Sequence, residues 1–208
     1  MELKRAIDKH RIQIVKVIRT AIFTINDKMV NIDKWAGEVL DIFDSLKKNH
    51  KSIFFIGNGA SCSMASHFAT DYTKNGGICS YSCNEGTLLT CFSNDFSYET
   101  AYLEIVKRYM SEGDALVAIS SSGKSKNILN TVDFVNNNYS KNPVITLSGF
   151  SKDNPLRQKG TYNLFLEIED YGFIESAHAY YLHLLIDLFI QKQQKKGRAN
   201  PSEHINFI

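Results

Sequence analysis

Ser52-Ile53-Phe54-Phe55-Ile56-Gly57-Asn58-Gly59-Ala60-Ser61 is a run of β-branched and aromatic residues that breaks into a glycine-bearing loop. A second stretch of the same plan stands at Ala115-Leu116-Val117-Ala118-Ile119-Ser120-Ser121-Ser122-Gly123-Lys124-Ser125. Neither apolar run alternates with polar residues, so both read as parallel strands buried on two faces. Each loop then opens a segment with helical spacing. Met64, Phe68 and Tyr72 stand four apart after the first, ending near Asn75-Gly76-Gly77, and residues 126–137 follow the second. A strand-to-helix turn of small residues offers free backbone N–H groups at the positive end of a helix dipole, which favours an anion. Neither loop meets the Walker A spacing or the Gly-x-Gly-x-x-Gly fingerprint, so nucleotide binding is not the first reading.

The same alternation runs through the rest of the chain. Ile7, Ile12, Ile14, Val15, Val17, Ile18, Ala21 and Ile22 recur with helical spacing over residues 6–23, and Val39, Leu40, Ile42, Phe43 and Leu46 repeat the pattern. Two N-terminal helices within residues 1–50 are therefore expected. Further strands are predicted at 78–83, 144–148 and 162–168, with helices at 98–110 and 173–192. Leu88 to Phe92 fits either a short strand or a helix start, and Asp153-Asn154-Pro155 reads as a turn with a helix beginning at Pro155. Strands separated by helix-length segments predict one α/β domain, a three-layer α/β/α arrangement with a mostly parallel five-stranded sheet. Its core would span residues 51–192, with 193–208 as a polar tail bearing an apolar tip. In such folds ligands bind outside the carboxyl ends of the strands, which puts both loops at one end.

Composition narrows the function classes. With 208 residues, 43% apolar and 22% charged, the chain reads as one globular domain rather than a disordered or membrane protein. A net charge of +2 and a single lysine-rich stretch, Lys192 to Arg198, argue against nucleic acid as a partner. No run of about 18 apolar residues occurs, and Met1 to Asp8 lacks the apolar region of a signal peptide. A cytoplasmic protein without a membrane partner is expected. Cys62, Cys79, Cys83 and Cys91 then read as reduced, buried or inert thiols, because a spacing of four without a second pair is no zinc signature.

The chemistry-bearing residues are fewer. His67 and Asp71 stand four apart on one predicted helix and project from one face. The final helix carries Glu175, His178 and His183 among Leu182, Leu184, Leu185 and Ile186, where ionisable groups need matching partners. His67, Asp71, Glu175 and His183 make a candidate set of two nitrogen and two oxygen ligands for zinc. The alternative is that His67 packs locally, Asp71 is a solvated helix charge and His183 is a core histidine. His178 competes with His183 for the functional role, and spacing does not choose between them. The serine run is either an ordinary turn or a phosphate site, and Lys124 either adds charge there or faces solvent. Asn94-Asp95 is either a turn or cap or a pair that binds sugar hydroxyls.

Taken in order, these pieces resemble the sugar isomerase (SIS) domain, and within it the phosphoheptose isomerases, which interconvert sedoheptulose 7-phosphate and heptose 7-phosphate for surface glycans. The resemblance covers residues 34–190. Its carriers are Gly57-Asn58-Gly59-Ala60-Ser61, His67-Phe68-Ala69-Thr70-Asp71, residues 93–99, residues 118–125, Val144 to Gly149 and residues 175–183. It implies the SIS fold, with phosphate held by Ser120, Ser121, Ser122 and Ser125 and the sugar by Asn58, Gly59, Ala60, Asn94 and Asp95, beside Ser61 and Glu175. It also implies a zinc on His67, Asp71, Glu175 and His183, one per subunit. Asp71 and His183 would be the acid/base pair of an aldose–ketose proton shift through an enediol, with a metal able to polarise the carbonyl. A homotetramer with sites at subunit interfaces is implied as well. The family usually has Glu at Asp71, Gln at Glu175 and Gly at Ala60, which marks this chain as diverged. The rival reading is a non-catalytic SIS protein that senses a sugar phosphate or scaffolds a partner. Retention of the carboxylate and both histidines favours the enzyme. A lyase acting on an amino-sugar phosphate ranks last, since it would come with a larger chain.

Overall fold

In the computed structural model, which describes residues 2–199, the strand Ile53–Gly57 sends alternate side chains into two separate cores. Ile53 and Phe55 join one core with Val117, Ile119 and Leu147, while Phe54 and Ile56 join the other with Leu116, Ala118 and Val144. A sheet buried on both faces explains why the strands read as unbroken apolar runs.

In chain order the elements are α1 (Glu2–Arg19), β1 (Ile22–Ile25), β2 (Lys28–Val30), α2 (Ile32–Lys48), β3 (Ile53–Gly57), α3 (Ala60–Lys74) and β4 (Ser80–Ser82). There follow α4 (Gly86–Asp95), α5 (Ala101–Tyr109), β5 (Ala115–Ser120), α6 (Lys126–Asn138), β6 (Val144–Gly149), a 3-10 turn (Pro155–Gln158), β7 (Tyr162–Leu166) and α7 (Tyr171–Ala199). The sheet order is β2-β1-β7-β6-β5-β3-β4. Strands β3 to β7 are parallel, as expected, and α1, α2, α3 and α7 cover one face while α5 and α6 cover the other. Leu88 to Phe92 lies in α4, whose first N–H groups donate to the Glu85 carboxylate. Asn154 caps the turn that begins at Pro155, also as expected.

Two features depart from the sequence reading. Among the described residues the sheet has seven strands rather than five, because residues 22–30 form a hairpin between the N-terminal helices. Helical spacing carried the expected first helix to Phe23, yet Ile22-Phe23-Thr24-Ile25 is a β-branched run followed by Asn26-Asp27 with φ of 47° and 62°. Positive φ at both central residues is what a tight two-residue hairpin demands, and Asn and Asp tolerate it. This hairpin adds antiparallel to β7 and covers an edge that would otherwise be open.

The final helix also runs past its expected end at Lys192. Lys192 reaches Asp41 at 2.7 Å and Asp44 at 2.6 Å, Lys196 reaches Asp44 at 2.9 Å, and Gln193 donates to Asp44 as well. These contacts tie the last turns of α7 to α2 and partly neutralise the lysine-rich stretch. Of the expected tail, residues 200–208 lie outside the described residues. Among the described residues no helix is long and apolar enough to cross a membrane. The four cysteines are free, but only Cys83 is buried, and burial pushes its thiol up to about 12.

Candidate active site

The strand order reverses between β3 and β5. From β3 the chain crosses through α3 to β4 on one side, whereas β5, β6 and β7 build out on the other. The two strands are parallel neighbours, with Gly57 opposite Ile119, so their loops leave side by side. Ligands of open α/β sheets settle in the crevice at such a reversal, outside the carboxyl ends of the strands.

Both loops have their carbonyls engaged by neighbouring segments and still leave backbone donors free. In the serine loop, Ser121 O accepts from Gly149 N at 2.9 Å and Gly123 O accepts from Leu156 N at 3.2 Å. Among the described residues the N–H groups of Ser122 and Ser125 donate to nothing. Ser125 stands at the N-cap position just before α6 without a side-chain capping bond, which leaves its hydroxyl available. Gly123 has φ of +63°, and a Cβ there would overlap the side chain of Asn154. Asn154 is wholly buried and fixed, donating to Gly149 O at 2.9 Å and Ser151 O at 3.0 Å and accepting from Arg157 N at 2.9 Å. In the first loop a Cβ on Gly57 would run into the Ser61 backbone, and Gly59 takes φ of +57° to start α3. The N–H groups of Ala60 and Ser61, in the first turn of α3, have no intrahelical partner. Tyr102 hydroxyl donates to Gly57 O at 2.5 Å and holds the strand end in place.

Between the loops lies a cavity of about 270 Å³ lined by Asn58, Gly59, Ala60, Ser61, Ser120, Ser121, Ser122, Ser125 and Glu175. Nine of the residues read from the sequence as substrate contacts thus meet in one place. Ile119 and Tyr171 complete the wall. Tyr171, exposed and set edge-on to Phe150, carried no motif that would have singled it out. Lys124 faces solvent. Asn94 and Asp95 do not reach this cavity; they pair with each other at 3.1 Å on the exposed end of α4. A larger cavity of about 510 Å³ lies beside the amino ends of β3 and β5. Its Asp114 already accepts from Ser52 N at 2.8 Å and Ser111 N at 2.7 Å, and it is at the wrong end of the strands for a βα-loop site.

Farther along the same two helices, His67 and Asp71 of α3 meet His183 of α7. His67 Nε2 is 3.3 Å and His183 Nδ1 3.9 Å from Asp71 Oδ2, and the two imidazole rings are 5.2 Å apart. Tyr72, next to Asp71, donates its hydroxyl to Leu182 O at 3.1 Å, which locks the helices at this point. The fourth expected ligand is not brought in. Glu175 lies eight residues before His183 on α7, about 12 Å along the axis, and lines the loop cavity instead. The expected four-residue zinc set is therefore a three-residue group within this chain.

That group fits a divalent ion. Its three ligand atoms lie within 4.8 Å of one another, against roughly 3.3 Å in a tetrahedral zinc set with ~2.0–2.1 Å bonds. Small side-chain rotations close that difference, since both histidines are about half exposed. Two imidazoles and a carboxylate are donors that zinc accepts, with a position left open.

His178 is settled by burial. It is fully enclosed, with Nε2 3.3 Å from Ser148 O and Nδ1 without a partner among the described residues. Burial pushes its pKa from 6.5 down to about 4, so it is a neutral core histidine, whereas His183 is the one that stands beside Asp71.

No protein-family model matches the chain. The phosphoheptose isomerase of Serratia proteamaculans is 33% identical over 181 residues, spanning 83% of this chain and 90% of the relative. Among solved structures, a phosphoheptose isomerase from Neisseria gonorrhoeae aligns with a TM-score of 0.74 at 21% identity, covering 90% of this chain and 98% of its own. One from Francisella tularensis gives 0.74 at 19% identity, covering 91% and 97%. These likenesses to solved structures carry the SIS fold, and the sequence identity carries the family. The chain belongs to the phosphoheptose isomerase family.

Proposed function

We propose that this protein interconverts sedoheptulose 7-phosphate and D-glycero-D-manno-heptose 7-phosphate. The observation that carries the reading is the spacing between the anion cradle and the His67, Asp71 and His183 group along one helix pair. From Ser61 to His67 on α3 is about 9 Å, and from Glu175 to His183 on α7 about 12 Å, by helical rise. A seven-carbon chain has six carbon–carbon bonds of ~1.5 Å in zigzag, so a 7-phosphate on the serine loop puts C1 and C2 near that group.

In this reading the backbone N–H groups of Ser122 and Ser125 and the hydroxyls of Ser120, Ser121, Ser122 and Ser125 hold the phosphate, and the first loop steadies the chain of hydroxyls. Asp71 turns Oδ2 toward both histidines, and Oδ1, which accepts from Asn75 Nδ2 at 3.5 Å, takes the proton from C1 of the ketose and returns it at C2. His183 gives a proton to the C2 oxygen and takes one from the C1 oxygen, so that an enediol connects the two sugars. His67 orients the Asp71 carboxylate. An ion held by His67, Asp71 and His183 would supply Lewis acidity toward the carbonyl oxygen.

Retention of all three groups supports an enzyme over a sugar-phosphate sensor, which has no need of a base. The same reading takes the protein as a homotetramer with sites at subunit interfaces. Exposed Leu3, Ile7, Ile12 and Val15 on α1 and Tyr171 and Tyr180 on α7 give it apolar surface to bury. Light scattering that returned a monomer would reject that assembly. For the activity, the purified protein is incubated with sedoheptulose 7-phosphate and aldose formation is followed, with zinc or with chelator. Absence of turnover under both conditions would sink the isomerase reading.

A further inference from the structure

The two loops are tied to each other by a pair of amides, and the buried member of that pair belongs to no motif. Asn127, second residue of α6 and 2% exposed, lies directly beyond the serine loop. Its Nδ2 donates to Asn58 Oδ1 at 2.9 Å, and Asn58 Nδ2 donates back to Asn127 Oδ1 at 2.9 Å. Ile128 N donates to the same Asn127 Oδ1 at 3.0 Å, and because a backbone N–H can only donate, it fixes which Asn127 atom is the oxygen. Tyr98 hydroxyl completes the set, donating to Asn58 Oδ1 at 2.8 Å. Asn58 sits between Gly57 and Gly59, which have no side chains, so the Asn58 amide is what anchors this turn. The amide ring thus spans the crevice between the carboxyl ends of β3 and β5.

We propose that Asn127 is a positioning residue: its buried amide holds Asn58, and with it the first loop, at a fixed separation from the serine loop. That separation decides whether one phosphorylated sugar can touch both loops at once. Inorganic phosphate needs only the serine loop, whereas a sugar phosphate needs both. The inference rests on the reading of the serine loop as the phosphate site.

The test is calorimetric titration of wild type, Asn127→Ala, Asn58→Ala, the double variant and Tyr98→Phe with inorganic phosphate and with sedoheptulose 7-phosphate. Asn127→Ala removes both bonds of the amide ring, so the sugar phosphate should bind about tenfold more weakly, while inorganic phosphate stays within about twofold. The double variant should be no worse than Asn58→Ala, because Asn127 acts through Asn58. A folded Asn127→Ala that weakens both ligands alike, or neither, overturns the proposal. Tyr98→Phe removes an exposed contact to the same Asn58 oxygen and should shift the same selectivity by about twofold. It answers the question should Asn127→Ala fail to fold, and unchanged selectivity there overturns the proposal equally. A wild type that binds neither ligand refutes the phosphate reading and takes this inference with it. A wild type that binds both without turnover, with the variants behaving as described, removes the catalytic reading and leaves this one standing.

Discussion

Lowering the pH should destabilise this protein through His178, by an amount its burial sets. The folded chain holds this imidazole neutral, with a pKa near 4, while the unfolded chain protonates it at the ordinary 6.5. Between those values the unfolded state binds the extra proton, so stability is fully present above pH 6.5 and declines as pH falls toward 4. At about 1.36 kcal/mol per pH unit, moving from pH 8 to pH 5 should remove about 2 kcal/mol. For a chain of this length that is roughly 4–8 °C in Tm. The assay compares urea and thermal unfolding of wild type and His178→Gln at both pH values. The variant keeps an N–H group able to meet Ser148 O but cannot titrate. His10, His50, His67 and His183 are exposed and common to both proteins, so their contributions cancel in the difference. The stability gap between wild type and variant should move by about 2 kcal/mol in favour of the variant as pH drops. A gap that does not move would refute the assignment of His178 as a neutral core histidine.

Two further predictions concern the site. Asp71→Asn removes the proposed base while keeping its size, so kcat should fall by about 10²–10⁴ with inorganic phosphate affinity unchanged; activity within tenfold of wild type would remove Asp71 from the chemistry. Gly123→Ala forces a side chain into a left-handed position against the fixed Asn154, and should lower stability by about 2–4 kcal/mol in urea unfolding and weaken phosphate binding in titration. Wild-type stability would show that the serine loop is not held as its contacts with Asn154 and Leu156 suggest.

The sequence was most readable where one local rule governed one segment. Residues 52–56 and 115–119 read as doubly buried strands because their apolar runs do not alternate with polar residues, and the glycines after them read as turns. The expectation that residues 22–23 close a helix failed because helical and strand spacing coincide over so short a run, and Asn26-Asp27 decided the matter through backbone angles. Glu175 was grouped with His183 because both stand on one apolar helix, but eight residues of helical rise keep them apart. His178 and His183 are chemically identical in sequence; only the packing of α7 on the sheet makes one neutral and buried and leaves the other beside Asp71.

By itself, then, the sequence determined the parallel α/β class, the two anion-favouring loops and the His67 and Asp71 pair, since strand pattern, turn chemistry and i,i+4 spacing are local properties. The tertiary structure decided which histidine stands beside Asp71, where Glu175 points, and that Asn127 and Asn154 hold the loops from behind. Those are contacts between residues tens of positions apart, and their energies exist only once the strands have paired and the helices have packed across them.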